Sequence, residues 1–281
     1  MRLWDYHTHS KLCNHAIGSL KDYIHSAIDK NLKQIGISDH HPMIFLPKPF
    51  HQYAMTLEAL GSYFRKADAL KQIYRESIDV LIGLEVDYFK NAFSKNKTVI
   101  KQYEGELNYL IGSIHVIPWN DHEALAIDME KSVPSIKRIG IDRMFLSYYE
   151  AIEELVKTKY FDILGHFDLP KKIGLVPEDK EAIWQKILSV IDQIERTEIL
   201  VEINTSGIRN AIKEQYPSDD IIKELILREI PLTLGSDAHS PVDIAYAFNE
   251  TMIRLKKLGL TKLYNLEIQD ESINRVSNPI S

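Results

Sequence analysis

Short apolar runs alternate with longer amphipathic stretches along almost the whole chain. Seven runs are rich in β-branched residues and too short for typical helices, which indicates buried strands: residues 3–7, 34–39, 80–86, 109–115, 161–166, 199–204 and 231–237. Six stretches between them have the spacing of amphipathic helices: residues 19–30, 57–75, 143–159, 177–196, 219–228 and 243–258. Pro177 is expected in the first turn of its helix, and Gly259 is expected to end the last one.

This alternation of strands and helices predicts an α/β fold with a parallel sheet, and seven units favour a closed, TIM-like barrel over an open sheet. A chain of 281 residues can form such a barrel as a single domain, and neither a linker nor a repeat divides it. We therefore predict one domain over residues 1–281. Residues 42–53 form the longest irregular piece and are expected to overhang one end as a binding loop.

Composition narrows the classes of function. The formal net charge is -6 and there is no long basic run, so a nucleic-acid partner is disfavoured. A small anionic substrate remains compatible, because bound metal ions can reverse the local field of an acidic protein. Cys13 is the single cysteine, which excludes an internal disulfide and suits a reducing compartment. The sequence has neither a signal-like amino terminus nor an apolar run near the roughly 20 residues of a membrane span, so we expect a cytoplasmic protein. A homo-oligomer is left open.

Side chains that can bind metal recur at the carboxyl ends of six predicted strands. They are His7 and His9, Asp39 and His40, Glu85, His115, His166, and Asp237 with His239. Active sites of parallel barrels form at this rim. Taken alone, His115 or His166 could be an ordinary buried histidine, and Glu85 could pair with a lysine. A carboxylate within an apolar run is nevertheless costly unless a cation meets it, and the recurrence at six strand ends favours a shared metal site.

The other histidines are less informative. His41 directly follows a candidate ligand and is expected to point toward a substrate above the site. His25 and His122 are expected at the surface, and His51 is ambiguous. Spacing alone leaves His15 a loop histidine.

As a set, these motifs resemble those of the PHP (polymerase and histidinol phosphatase) family, in the order of that family and over most of the chain. The motifs are His7-Thr8-His9, Ser38-Asp39-His40, Gly83-Leu84-Glu85, Gly112-Ser113-Ile114-His115, Gly165-His166-Phe167-Asp168 and Gly235-Ser236-Asp237-Ala238-His239. Finer features are similar to the histidinol-phosphatase branch: His15, Pro42-Met43, Glu85-Val86-Asp87-Tyr88, and the run Glu202-Ile203-Asn204-Thr205-Ser206-Gly207-Ile208-Arg209.

The resemblance implies a distorted (β/α)7 barrel that holds three divalent metal ions. By analogy, the first ion is held by His7, His9, Glu85 and Asp237, the second by Glu85 as a bridge with His115 and His166, and the third by His15, His40 and His239. No ligand position of the pattern is missing. The role of His15 depends chiefly on this analogy.

The ligand chemistry predicts the reaction. Imidazole and carboxylate ligands without thiolate suit Zn, Fe, Mn or Co. A bridging carboxylate is typical of two-metal phosphate hydrolysis, in which a bridging hydroxide attacks phosphorus in line. Glu85, Asp237 and His40 are the predicted catalytic residues. Asp39 and Asp168 lie beside ligand histidines and are predicted to orient them.

The substrate-binding residues are predicted less directly. Arg209 is the best candidate for a phosphate clamp, because a guanidinium can bind two oxygens at once, although an ordinary loop arginine is equally compatible. We expect three further residues to line the substrate pocket: His41, Asn204 and Ser206. For Asn204 and Ser206, a role as ordinary polar turn residues is the alternative. The favoured function is hydrolysis of L-histidinol phosphate to L-histidinol and phosphate in histidine biosynthesis. The alternatives are a PHP-type phosphatase or phosphodiesterase acting on nucleotides or another small phosphoester, and a non-catalytic metal-binding domain.

Overall fold

The computed structural model describes residues 2–119, 124–269 and 272–280. Its strands are β1 (Trp4–Asp5), β2 (Gln34–Ile37), β3 (Asp79–Asp87), β4 (Tyr109–Ser113), β5 (Val116–Pro118), β6 (Ala124–Ala126), β7 (Ile163–Leu164), β8 (Leu200–Asn204), β9 (Leu232–Gly235), β10 (Lys262–Gln269) and β11 (Ser272–Pro279). Seven parallel strands form one sheet in the order β1-β2-β3-β4-β7-β8-β9, while β5-β6 and β10-β11 are antiparallel hairpins.

The helices are α1 (Leu20–Asp29), α2 (Leu57–Tyr74), α3 (Lys90–Ile100), α4 (Val133–Ile139), α5 (Ile141–Lys157), α6 (Lys180–Ile194), α7 (Ser206–Arg209), α8 (Asp219–Leu227) and α9 (Phe248–Lys257). They surround the sheet, and the longer ones bury an apolar face. In α5, for example, Phe145, Tyr148, Ile152 and Leu155 recur every three or four residues and are all buried. The resulting α/β barrel confirms the predicted fold class.

The barrel closes between its first and last strands. Beyond β1, Thr8 pairs with Ala238 in a parallel bridge. The Trp4 Nε1–H donates to Thr233 Oγ1 at 2.8 Å, which joins β1 to β9 inside the barrel. The ring of Tyr109 crosses the interior because Gly36 and Gly83 have no side chain, and a Cβ at either position would overlap it. Side chains therefore fill the interior of the barrel, and the candidate functional groups lie at its ends.

The β10-β11 hairpin covers the amino end of the barrel. Its Leu266 N–H donates to Tyr6 Oη at 2.8 Å, and Tyr6 Oη–H donates to Gln34 Oε1 at 2.6 Å. Gln34 Nε2 donates to the Leu266 carbonyl at 2.8 Å, and Asn265 Nδ2 donates to Gln34 Oε1 at 3.1 Å. The hairpin thus supplies partners for the polar groups that point out of the bottom of the barrel.

All seven predicted strands are present in the sheet, although β1 and β7 are shorter than predicted. The sequence patterns missed α3, α4, the short α7 and both hairpins. Pro177 precedes α6, so its expected place in the first turn is wrong: Asp179 caps the helix by accepting from the Ala182 N–H at 2.9 Å. The last helix begins later than predicted, because Ala245 and Ala247 adopt positive φ angles of 51° and 55°.

Gly259 follows the last helix with a φ of 98°, as predicted. The predicted binding loop, residues 42–53, contains the 3₁₀ helix Lys48–Tyr53. Met43 and Leu46 in this loop pack with Val116 and Ala92 in a small apolar cluster separate from the main core. The single-domain organisation, the cytoplasmic location and a homo-oligomer stay predictions.

Over the described ranges, no helix combines the length and the hydropathy that crossing a membrane requires. His25 is exposed on α1 as predicted, while His122 lies outside the described residues.

Candidate metal centre

Glu85 lies at the middle of the carboxyl end of the barrel and is 1% exposed. Its Oε2 is 3.3 Å from His7 Nε2, 3.4 Å from His9 Nε2 and 3.0 Å from His40 Nδ1. Its Oε1 faces other imidazoles, with His166 Nε2 at 3.1 Å and His115 Nε2 at 3.8 Å. The two oxygens of one carboxylate therefore point toward two separate sets of nitrogen atoms, as a carboxylate that bridges two ions would.

Asp237 completes the first set from the loop after β9. Its Oδ1 lies 3.2 Å from His9 Nε2 and 3.8 Å from His7 Nε2. The residue has a positive φ of 50°, and Arg209 Nη2 holds its backbone by donating to the Asp237 carbonyl at 2.9 Å. The strained turn thereby directs the carboxylate inward.

His15, His40 and His239 form a third set, whose ligand atoms all lie within 4.8 Å of one another. The Nδ1–H of His15 donates to the Cys13 carbonyl at 2.8 Å, and the Nδ1–H of His239 donates to the Asp237 carbonyl at 3.1 Å. Each ring then has a lone pair on Nε2, and these two atoms are only 3.0 Å apart. Two facing lone pairs at that distance require a proton or a cation between them.

Unpaired buried atoms give an independent test of whether the centre fits metal ions. No hydrogen-bond partner is present among the described residues for His7 Nε2, His9 Nδ1 and Nε2, His40 Nδ1, His166 Nδ1 or Glu85 Oε2. Leaving such atoms buried and unpaired costs about 1–3 kcal/mol each. Nitrogen and oxygen ligands at these positions suit Zn²⁺ and similar divalent ions, so the residues fit the predicted metals.

A further group within ligand reach consists of His9, Cys13 and His239. The sequence prediction did not include a thiol in the centre. Burial raises the pKa of the Cys13 thiol to about 12, so this side chain is protonated at neutral pH.

The pKa values of two candidate ligands are shifted in opposite directions, that of His7 upward and that of His15 downward. Burial lowers the pKa of His7, but the carboxylates of Glu202, Glu85 and Asp237 outweigh burial and raise this pKa well above its usual range. Burial, followed by the neighbouring His40 and His239, lowers the pKa of His15 to about 4. Acidic groups attract cations toward His7, while the ring of His15 is neutral and can act as a ligand.

Two carboxylates that sequence reasoning missed hydrogen-bond candidate ligands. Glu202 Oε1 accepts from His7 Nδ1–H at 2.8 Å, and Asp87 Oδ2 accepts from His115 Nδ1–H at 3.0 Å. A histidine that donates one nitrogen to a carboxylate presents the lone pair of the other to a metal. Both carboxylates interrupt apolar strand sequences, the same signal that identified Glu85.

The two aspartates predicted to orient ligands contact other groups. Asp39 accepts from the Ser10 N–H at 2.7 Å and from Ser10 Oγ at 2.8 Å, which braces the chain just after His9. Asp168 pairs with Lys171 at 3.0 Å and accepts from the Ser218 N–H at 2.9 Å. Neither carboxylate hydrogen-bonds a candidate ligand side chain in the part of the chain that the structure describes, and their orienting role stays a prediction.

A cavity of about 420 Å³ opens above the centre. Five candidate ligands line it: His15, His40, His115, Asp237 and His239. Met43, Phe50, Tyr53, Val116, Met129 and Leu169 make its apolar wall. Small-molecule sites commonly combine such a wall with a few convergent polar groups.

The predicted substrate-binding residues differ in their relation to this cavity. Ser206 and Arg209 line it, and Arg209 Nη1 is buried without a hydrogen-bond partner in the described residues. Asn204 is buried beneath the wall, where its Oδ1 accepts from Ser206 Oγ at 2.7 Å. His41 is 2% exposed and is absent from the cavity wall. Direct substrate contact by Asn204 or His41 stays a prediction.

Known proteins provide a comparison for this arrangement. The model of the PHP domain family matches residues 5–206. The chain is 30% identical to a probable histidinol-phosphatase of Deinococcus radiodurans, over 92% of this chain and 94% of that protein. It is 28% identical to the histidinol-phosphatase of Bacillus subtilis, over 90% of this chain and all of that one.

The fold matches that of a solved Lactococcus lactis histidinol phosphate phosphatase, which was crystallised with zinc, L-histidinol and phosphate. The TM-score is 0.73 at 19% sequence identity, over 97% of this chain and 99% of that one. The family match covers more than half of the chain and includes most of the candidate metal centre. The protein therefore belongs to the PHP domain family.

Proposed function

We propose that this protein is a metal-dependent phosphomonoesterase that hydrolyses L-histidinol phosphate to L-histidinol and inorganic phosphate. The relatives named histidinol-phosphatase align over nearly their whole length, which supports the substrate. The observation that carries the reaction type is the position of Glu85, whose two oxygens face separate sets of imidazole nitrogens.

Three sets of side chains would hold the ions. The first is His7, His9, Glu85 and Asp237, the second is Glu85 with His115 and His166, and the third is His15, His40 and His239. Bound Zn, Fe, Mn or Co ions supply Lewis-acid polarisation of the phosphoryl oxygens and lower the pKa of a water molecule. Glu85 and Asp237 supply the negative charge that retains the ions, and His40 lies beside both Glu85 and the third set.

Arg209 is the proposed phosphate-binding residue. Its Nη2 donates to the Ser236 and Asp237 carbonyls at 3.0 and 2.9 Å, which fixes the guanidinium plane. Arg209 lines the cavity, and its buried Nη1 has no hydrogen-bond partner in the described structure. A charge-assisted hydrogen bond from Nη1 to phosphate satisfies this atom and draws the phosphoryl group toward the centre.

The cavity favours a small organic group on the phosphate. A volume of about 420 Å³ accommodates a histidinol-sized molecule but excludes a nucleic-acid duplex. Phe50 and Tyr53 provide aromatic faces against which a flat imidazole can pack.

A panel of phosphoesters tests this proposal. Purified protein reconstituted separately with zinc, manganese, iron or cobalt is assayed with histidinol phosphate, nucleoside monophosphates, a phosphodiester and p-nitrophenyl phosphate. We expect the highest kcat/KM for histidinol phosphate. A clear preference for a nucleotide would overturn the substrate, and metal-loaded protein without activity on any ester would overturn the proposed enzyme.

A further inference from the structure

Glu202 is a buried acid in the middle of β8, with 1% of its surface exposed. Within the described ranges it forms no ion pair with a lysine or an arginine, and its one ion-pair partner is His7. A buried carboxylate without a fixed cation is costly unless several hydrogen bonds stabilise it. The groups around Glu202 therefore indicate its role.

The Glu202 carboxylate, on β8, hydrogen-bonds residues that follow β1 and β7 at the candidate metal centre. Oε1 accepts from His7 Nδ1–H, beyond β1, at 2.8 Å, and Oε2 accepts from the backbone N–H of His166, beyond β7, at 3.0 Å. Oε2 also accepts from Asn204 Nδ2 at 2.9 Å, and this amide reaches toward Asp237 Oδ2 at 3.5 Å. Three candidate ligands are thus connected to one side chain.

Each contact fixes a property that metal binding depends on. Donation of Nδ1–H to Glu202 leaves the lone pair of His7 on Nε2, which faces Glu85 at 3.3 Å. His166 has a φ of 22°, an unfavourable backbone conformation for a residue with a side chain. The bond to its N–H holds this conformation, which keeps His166 Nε2 3.1 Å from Glu85.

The neighbouring strand provides the space for this carboxylate. A Cβ at Gly235, on β9, would overlap Glu202 Oε1 and lie 2.9 Å from His7 Cβ. The absence of a side chain at Gly235 therefore allows Glu202 to reach His7 directly.

We propose that Glu202 is a positioning residue of the metal centre: it sets the orientation and the tautomer of His7 and the backbone of His166, and so determines how tightly the centre binds its ions. The inference rests on one part of the proposed function, namely that the centre binds divalent ions. Substitutions of carboxylates that orient metal-bound histidines typically weaken metal binding about 10–100-fold.

Glu202→Gln tests the proposal with little change in volume. The amide oxygen can replace only one carboxylate oxygen, so it accepts either from His7 Nδ1–H or from the His166 N–H, while the new N–H group opposes the other. The matched control is Glu198→Gln, four residues earlier in the chain and 86% exposed. Zinc affinity is measured by chelator competition, and the visible absorption of the Co²⁺-loaded protein reports ligand geometry. Thermal unfolding of each metal-free protein reports stability separately.

We expect Glu202→Gln to weaken the affinity for at least one zinc ion about 10–100-fold and to change the Co²⁺ spectrum. The control is expected to match the wild type in both. Unchanged affinity and an unchanged spectrum would overturn the proposal. The proposal would also fail if the loss of affinity were fully explained by a lower unfolding midpoint of the metal-free protein. If Glu202→Gln does not fold, Glu202→Asp replaces it: this variant keeps the charge but shortens the reach, and wild-type affinity in it would likewise overturn the proposal. If metal-loaded wild-type protein lacks phosphatase activity, the proposed function fails while the affinity comparison stands.

Discussion

The two ends of the barrel both bury polar side chains, but they satisfy them differently. At the amino end, Tyr6, Gln34 and Asn265 form a closed hydrogen-bond network with the hairpin. None of their side-chain polar atoms is both buried and unpaired in the described structure, whereas His7, His9, His40, Glu85 and His166 at the carboxyl end each have at least one such atom. Burial of polar groups alone therefore does not identify a functional site, but unpaired groups that converge on one point do.

The comparison also separates groups expected to contribute to folding stability from groups expected to contribute to metal binding and catalysis. The amino-end network consists mainly of phenol and amide groups, which the chain pairs internally, and Asp79 Oδ2 accepts from Gln34 Nε2 at 2.6 Å. The carboxyl end concentrates acids and imidazoles whose mutual arrangement becomes favourable once cations enter. Substitutions at the two ends should therefore affect different measured quantities.

The largest effect is expected from loss of the metals or of the bridging carboxylate. Removal of the ions with a chelator should abolish phosphatase activity, and added zinc or manganese should restore it. Glu85→Gln should lower kcat at least about 100-fold, because it removes charge that stabilises the reacting groups. Steady-state kinetics and circular dichroism check this prediction, and near-normal turnover in a folded variant would remove Glu85 from the mechanism.

Arg209→Lys should raise KM for the phosphoester about 10–100-fold, the equivalent of one charge-assisted hydrogen bond. A lysine cannot hold the two carbonyls and also present a second nitrogen to the cavity. Arg65→Lys, on the exposed surface of α2, provides a control with the same change of side chain elsewhere. If the two variants have equal KM values, Arg209 does not bind phosphate.

Tyr6→Phe should destabilise the protein by about 1–3 kcal/mol, because the Leu266 N–H and Gln34 Oε1 lose their common partner. Metal content and kcat should remain those of the wild type, since the hydroxyl lies at the opposite end from the centre. Urea unfolding and metal analysis measure both quantities. A drop in metal content without a drop in stability would contradict the division between the two ends.

The smallest effect is expected from Glu198→Gln. This side chain is 86% exposed and pairs with Arg275 at 2.9 Å. Exposed ion pairs contribute between zero and about 1 kcal/mol, so the change in unfolding free energy should stay within that range and activity should not change. A larger loss would indicate that the surface below β8 supports the barrel.

The sequence predicted the carboxyl end well because parallel barrel topology brings the ends of all strands together. That rule alone placed Glu85, His115 and Asp237 at one rim. His15 needed the family resemblance, because loop geometry decides that its ring meets His239. Sequence reasoning did not identify Glu202 and Asp87 as orienting groups. That role depends on contacts between different strands, and a local sequence pattern does not contain such contacts.

The amino end was predicted poorly for a different reason. The strands Lys262–Gln269 and Ser272–Pro279 are polar and only partly buried, so their hydrophobic alternation is weak. Helix α3 buries only Ala92, Asn96 and Ile100, which leaves little amphipathic signal. Tertiary contacts, such as those of Leu266 with Tyr6 and Gln34, stabilise these elements more than local preference does.

Anomalous X-ray diffraction from crystals grown with zinc tests the central claim most directly. The predicted result is strong anomalous density beside both oxygens of Glu85, toward His7 and His9 on one side and toward His166 on the other, with a further peak between His15 and His239. Density confined to the protein surface, with these side chains unliganded, would contradict the assignment of the carboxyl end as a metal-dependent active site.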